Sequence, residues 1–200
     1  MEEPSSFDIL INYPVKHGLE FDTHRDYRRF YLNPQDRILN TKFVIFKTGS
    51  LFFYAYDSYA VKAYMTKTYT GLYSSVTLPA DIELKVYKKD FADTFLRANK
   101  RNTGFKHIDE YLTFTSRSKD FSFSLSKRAV SLFLEMTRLF SPFHMIVQND
   151  YLPNIGELKN NKVIGLETQQ WLFKEEDIDQ FLKLGEELIH DVITANLNLS

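Results

Sequence analysis

Eighteen phenylalanines, twelve tyrosines and one tryptophan stand in this chain of 200 residues without a single cysteine. Aromatic side chains carry the largest apolar area per residue, so a chain of this kind gains its stability by burying rings. Disulfides, thiol catalysis and cysteine-ligated metal sites are all excluded. At this length about 70% of the unfolded chain's surface can be buried, enough for a core that needs no covalent staple.

The remaining composition narrows the function classes. Hydrophobic residues make up 44% of the chain and charged residues 26%, an ordinary globular balance. Twenty-five basic residues against 26 acidic ones leave a formal net charge of -1, too little field to gather phosphate backbones or anionic lipid, so nucleic acid is not favoured as a partner. The start, Met1-Glu2-Glu3-Pro4-Ser5-Ser6, is acidic and polar, whereas a secretory signal sets a basic segment ahead of an apolar run. No stretch reaches the roughly 18 nearly uncharged apolar residues of a spanning helix. The best candidate, Lys42 to Tyr64, is broken by Lys47, Gly49, Ser50, Asp57 and Lys62. The expectation is a soluble, cytoplasmic protein with no transmembrane segment.

Periodicity supplies the elements. Ser6 to Tyr13 reads as a first strand ended by Pro14, and Thr23 to Leu32 as a short helix capped by Thr23 and closed by Asn33-Pro34. Lys42 to Phe46 and Leu51 to Tyr56, separated by Lys47-Thr48-Gly49-Ser50, form the clearest hairpin. Tyr59 to Thr70 and Leu72 to Leu78 read as strands parted by Gly71, and Asp81 to Tyr87 alternates as a half-buried strand. Lys88 to Asn99 has helical spacing, Ile108 to Ser116 alternates again, and Phe121 to Leu125 has a period of two. Ser126 caps a nearly all-apolar helix from Lys127 to Phe140, followed by strands at Phe143 to Gln148 and Lys162 to Thr168, the second interrupted at Gly165. Asn149 to Asn161 between them is a polar loop. Glu175 to Asn196 carries apolar residues at i, i+3, i+4 and i+7 behind three acidic residues at its start, the signature of a long amphipathic helix. This order predicts a single α+β domain over residues 1–200, strand-forming up to about residue 80 and alternating strand and helix thereafter. A mixed or antiparallel sheet would carry the helices.

Thr70-Gly71-Leu72-Tyr73, the run Ile108-Asp109-Glu110-Tyr111-Leu112-Thr113-Phe114-Thr115-Ser116, the apolar helix, His144-Met145-Ile146-Val147-Gln148 and Lys162-Val163-Ile164-Gly165-Leu166 follow one another in order. Over roughly the last 130 residues that pattern of elements resembles a family of uncharacterised bacterial domains often found in membrane-anchored proteins. The resemblance implies a helical lead-in at Phe121 to Leu125, in place of a strand, and a role as accessory to a membrane process. It brings no activity and no catalytic residues, and the spanning segments common in that family are absent here.

Several side-chain groupings merit a chemical reading. His17, Glu20, Asp22 and His24 are the densest set of metal-ligand types, and in an extended chain Glu20, Asp22 and His24 share one face; the plainer reading is a solvated strand edge. Glu187 and His190 have the Glu-x-x-His spacing of bundle metal sites, but only one copy is present and an exposed polar face accounts for it. His107, Asp109 and Glu110 could furnish a base and carboxylates, yet no nucleophile accompanies them. Tyr54, Tyr56, Tyr59, Tyr64, Tyr69 and Tyr73, interleaved with Lys47, Lys62 and Lys67, suggest a stacking surface for sugars or single strands, set against ordinary sheet packing. Trp171, after Thr168-Gln169-Gln170, is read as an anchor between sheet and helix or as a partner contact. From these, Tyr54, Tyr56, Tyr64 and Trp171 are the candidate ligand-binding residues and His17, Glu20, Asp22 and His24 the candidate metal ligands. No cofactor is expected.

With no assembled catalytic set, the leading expectation is a non-enzymatic binding or assembly module working through protein-protein contacts, with another protein or a second copy of itself. The alternative is an enzyme or small-ligand-binding protein whose polar residues converge only in three dimensions.

Overall fold

The computed structural model describes residues 4–29, 37–60, 65–78, 82–90, 100–116, 123–152 and 154–196. Its first element corrects the sequence reading. Ser6–Lys16 is a helix, α1, because Ser5 caps it, its hydroxyl accepting from the Asp8 amide at 3.3 Å, and because Phe7, Leu10, Tyr13 and Pro14 are the residues it buries. That spacing is helical, and alternation is not what buries them. Pro14 falls in the last turns and the chain leaves the helix through Gly18 at φ +63°.

The segment expected to follow as a short helix is a strand. β1 (Phe21–Arg29) pairs antiparallel with β2 (Arg37–Thr48), from Phe21 opposite Phe46 to Arg29 opposite Arg37. The partner strand supplies what local propensity could not show; Asn33-Pro34 lies outside the described residues. β2 turns into β3 (Leu51–Ala60) through Gly49-Ser50, with Gly49 at φ +59°, which is the expected hairpin with a tighter turn. β4 (Met65–Ser75) runs unbroken through Gly71, so Gly71 does not divide two strands.

β5 (Leu84–Lys88) keeps the predicted alternation, with Leu84 and Val86 buried. The helix expected at Lys88 to Asn99 falls mostly on residues outside those described, and β6 (Lys100–Arg101) follows. Ile108 to Ser116 is not all strand: Lys106–Asp109 forms a single helical turn, α2, before β7 (Leu112–Ser116). Asp109 causes the break, its carboxylate accepting from Thr103 N, Thr103 Oγ1 and Gly104 N. Phe121 and Ser122 lie outside the described residues, while Phe123 to Leu125 have no regular structure, their two apolar side chains buried. α3 (Lys127–Leu139) starts at the expected cap, Ser126. β8 (Phe143–Asn149), β9 (Lys162–Thr168) and α4 (Glu175–Asn196) agree with the sequence, except that β9 passes through Gly165 without interruption.

Among the described residues these strands make one nine-stranded sheet in the order β1-β2-β3-β4-β9-β8-β5-β7-β6, with every recorded pairing antiparallel. This is an α+β fold with an antiparallel sheet. Strand alternation gives the sheet two faces. On one, Val44, Phe46, Phe53, Leu72, Val86, Met145, Ile164 and Leu166 meet α1, α3 and α4 in the main core. Among the described residues the other carries no long helix; there Phe52, Tyr54, Tyr73, Ile146 and Val163 are covered by Leu152, Ile155 and Leu158 from the connection between β8 and β9. That connection is the expected polar loop, but three of its apolar residues fold it back onto the sheet as a flap.

Candidate functional site

The face away from α1, α3 and α4 brings together residues far apart in the chain. Tyr87 on β5, His144 on β8, Glu167 on β9, Gly71 on β4 and Tyr54 on β3 are successive register partners across the sheet. Beside them run Lys85, Ile146, Gly165, Tyr73 and Phe52. A cleft of about 670 Å³ opens over this floor, between the sheet and the flap. Lys67, Tyr69, Lys85, His144, Tyr151 and Glu167 line it.

Glu167 is the centre. Its residue is only 6% exposed, so its charge has to be met by protein groups. Tyr73 donates its hydroxyl to Oε1 at 2.8 Å. His144 Nε2 lies 2.8 Å from Oε2, so the imidazole and the carboxylate are in direct polar contact. Burial alone would push the Glu167 carboxyl up. The imidazole of His144 and the hydroxyls of Tyr73 and Tyr151 outweigh that and hold it below the ordinary value of 4.5, so the group is ionised at neutral pH. The phenols respond oppositely. Burial and then the Glu167 charge raise Tyr73 well above its usual range, and the same two causes raise Tyr151, keeping both hydroxyls protonated as donors.

Two glycines make this arrangement fit. A Cβ on Gly165 would come within 2.7 Å of the Tyr73 ring, and one on Gly71 within 2.2 Å of the Tyr73 hydroxyl. The ring therefore lies flat over both positions and delivers its hydroxyl beside Glu167, the register partner of Gly71. At the ends of the cleft, Lys67 Nζ and Lys85 Nζ each sit 5.6 Å from the ring centroid of the tyrosine two residues on, Tyr69 and Tyr87. Tyr87 in turn stacks on His144, with centroids 5.7 Å apart. The result is an ionised carboxylate against an imidazole, a ring of protonated phenols and two flanking ammonium groups, a set able to bind and orient a small polar molecule.

The residues singled out from the sequence fall in several places. Tyr54 and Tyr56 lie on the same face, but they pack against Tyr69, at 5.6 and 5.1 Å between centroids, and stand behind the cleft wall. Tyr64 lies outside the described residues. Trp171 is on the opposite face, stacked on Phe7 at 6.3 Å and packed against the main core. Of the metal-ligand types, Glu20 and Asp22 line a second, smaller hollow of about 380 Å³ near Glu157, whose charge Lys47 meets at 2.6 Å. His17 instead faces Glu175 at 3.5 Å, and His24 stacks on Phe43. Among the described residues no group of three or more His, Asp or Glu converges as a metal would require. His107 has its Nε2 3.1 Å from the Leu125 carbonyl, and His190 is exposed on α4.

Tyr151 belongs to the loop Asn149 to Asn161, which the sequence offers as a possible carrier of recognition or as just a loop, whereas Glu167, His144, Lys85 and Tyr87 were not among the sequence candidates. The signal for two of them was local: Glu167 ends the apolar run Val163-Ile164-Gly165-Leu166, and His144 interrupts Phe143 and Met145. An ionisable residue inside a strand apolar on both sides has to be paired when that strand is central.

No protein-family model, no curated protein and no solved structure matches this chain. No helix among the described residues is long and apolar enough to cross a membrane.

Proposed function

We propose that the protein binds a small polar molecule in the cleft on the face of its sheet away from α1, α3 and α4, with His144, Tyr151, Tyr69 and the two lysines making the contacts and Glu167 at the floor beneath them. The observation that carries this reading is the buried, ionised Glu167 at the base of an open cleft. Taking a carboxylate out of water is costly even where it is hydrogen-bonded, so packing alone gives no reason for Glu167 beside His144 at the middle of the sheet. Perturbed titratable groups gathered in a concavity are the usual mark of a binding site. A cleft of about 670 Å³ is in the range that holds a metabolite-sized ligand.

The assembly-module reading would use exposed apolar surface, for which the described residues offer Val15, Phe21, Phe105 and Tyr111. None of the four lines the cleft, so the two readings separate cleanly. A thermal-shift screen of sugars, amino acids, nucleosides and organic acids tests the ligand reading. At least one class is expected to raise the melting temperature saturably in the wild type and to lose that effect in His144→Ala and Tyr69→Ala. Absence of any saturable shift, or a shift that both variants retain, would overturn it.

A further inference from the structure

We infer that the cleft takes a neutral, hydroxyl-rich ligand, a sugar or polyol, which donates a hydroxyl proton to Nδ1 of His144. This rests on the cleft's being a ligand site and goes further by naming the ligand's chemistry. What decides it is where the protons of the floor stand.

His144 is held from two sides. Its register partners are Glu167 on β9 and Tyr87 on β5. Nε2 lies 2.8 Å from Glu167 Oε2, and the Tyr87 ring stacks on the imidazole with centroids 5.7 Å apart, so the ring is fixed with Nε2 turned to the carboxylate. A neutral imidazole carries its one proton on one nitrogen or the other. A bare lone pair that close to an ionised carboxylate oxygen would be repelled, so the proton stands on Nε2 and the lone pair on Nδ1. Nε2 is sealed from solvent while the residue lines the cleft, which leaves Nδ1 as the nitrogen for a ligand. It is an acceptor.

The phenols are turned the same way. A carboxylate only accepts, so Tyr73 and Tyr151, which both hydrogen-bond Glu167, direct their protons to it. Tyr151 lines the cleft and has oxygen lone pairs left to present there. A carboxylate or phosphate laid on this floor would set its own lone pairs against those of His144 and Tyr151, above an ionised Glu167. A cation is opposed by Lys67 and Lys85, which line the same cleft. A neutral donor meets both conditions. Hydroxyl groups donate to the floor and accept from the two ammonium groups at once, which a ligand with donors alone does not do, and adjacent hydroxyls on one small frame are what a sugar or polyol supplies.

Nitrogen spectra of the labelled full chain measure the first step. Two-bond proton-nitrogen correlations of the His144 ring, identified by contacts to the Tyr87 ring and by their loss in His144→Gln, are expected to show a protonated Nε2 and a bare Nδ1. A protonated Nδ1, in the other tautomer or in the imidazolium, would overturn the inference. Titration with glucose, galactose, mannose and inositol, followed by calorimetry and by the same spectrum, measures the second. At least one of them should bind saturably and move the Nδ1 resonance. One of its monodeoxyfluoro analogues should bind about fivefold or more weakly, because fluorine fills the place of the hydroxyl and cannot donate. A sugar that binds without moving Nδ1, or whose fluoro analogues all bind as well as the parent, would overturn the inference. Binding of glutarate, putrescine or another ligand without hydroxyl groups, lost in His144→Ala and with no response to the four polyols, would overturn it and leave the ligand site standing. Failure of every class of small molecule would remove both.

Discussion

A carboxylate inside a protein stays charged only where its neighbours outweigh the loss of water, and at Glu167 those neighbours are named: His144, Tyr73 and Tyr151. The consequence for pH has a definite sign. A carboxyl that titrates below 4.5 in the folded chain stabilises that chain at pH values above its unfolded value, and the contribution is lost as the pH falls through the folded value. Asp8 and Glu175 are also lowered, so the Glu167 share has to be isolated by difference. Chemical denaturation of wild type and Glu167→Gln between pH 7 and pH 3 should show the wild type's advantage shrinking only below the ordinary carboxyl value; a constant difference would mean that Glu167 does not titrate as described. Tyr73→Phe leaves Oε1 without its donor and should cost about 1–3 kcal/mol. Gly165→Ala forces a Cβ to within 2.7 Å of a ring that is fully buried and should cost about 1–3 kcal/mol by overpacking, with loss of ligand response as Tyr73 leaves Glu167. A Gly165→Ala variant as stable and responsive as the wild type would show that the ring has another place to go. Glu167 and His144 were legible as oddities in apolar strands, but their pairing was not, because register between β8 and β9 is set across a connection and not within either strand.

At the scale of elements, the flap between β8 and β9 shows which forces matter. Its visible tie is the Lys47–Glu157 ion pair at 2.6 Å, with side chains 35% and 61% exposed, and exposed pairs contribute about 0–1 kcal/mol. Its hidden tie is Leu158, 1% exposed beneath the loop, and truncating a buried leucine costs about 2–5 kcal/mol. Leu158→Ala should therefore destabilise the protein several-fold more than Lys47→Met in denaturant melts, and the reverse order would mean that the ion pair holds the flap. The long helix α4 and the β2–β3 hairpin were readable because their signals are local: a sustained 3.6-residue stripe, and two apolar runs joined by a Gly-Ser turn. α1 was misread because Phe7, Ile9 and Ile11 also fit alternation, and only the Ser5 cap and the burial of Leu10 beneath the sheet side of the helix distinguish the two. β1 was misread for the opposite reason, since its polar sequence becomes a strand through pairing with β2.

Over the whole molecule, strands from both ends of the chain share one sheet, with β9 inserted beside β4 and β5 between β8 and β7. That interleaving has a functional result: the cleft draws Lys67 and Tyr69 from β4, Lys85 from β5, His144 from β8 and Glu167 from β9, so no short motif could have announced it. The α+β class followed from element order, while the site depended on strand order, which nonlocal pairing alone determines. It also gives the two faces separate duties, one burying rings against α1, α3 and α4, the other leaving polar groups within reach of solvent. The most direct test is an amide nitrogen-proton spectrum of the labelled protein, titrated with the small polar molecules that raise its melting temperature. Saturable changes should centre on residues 66–69, 85, 144, 151–152 and 167–169, which line the cleft, and leave the exposed sides of α1 and α4 silent. Changes centred elsewhere, or no saturable change at those residues, would contradict a binding site on the face away from α1, α3 and α4.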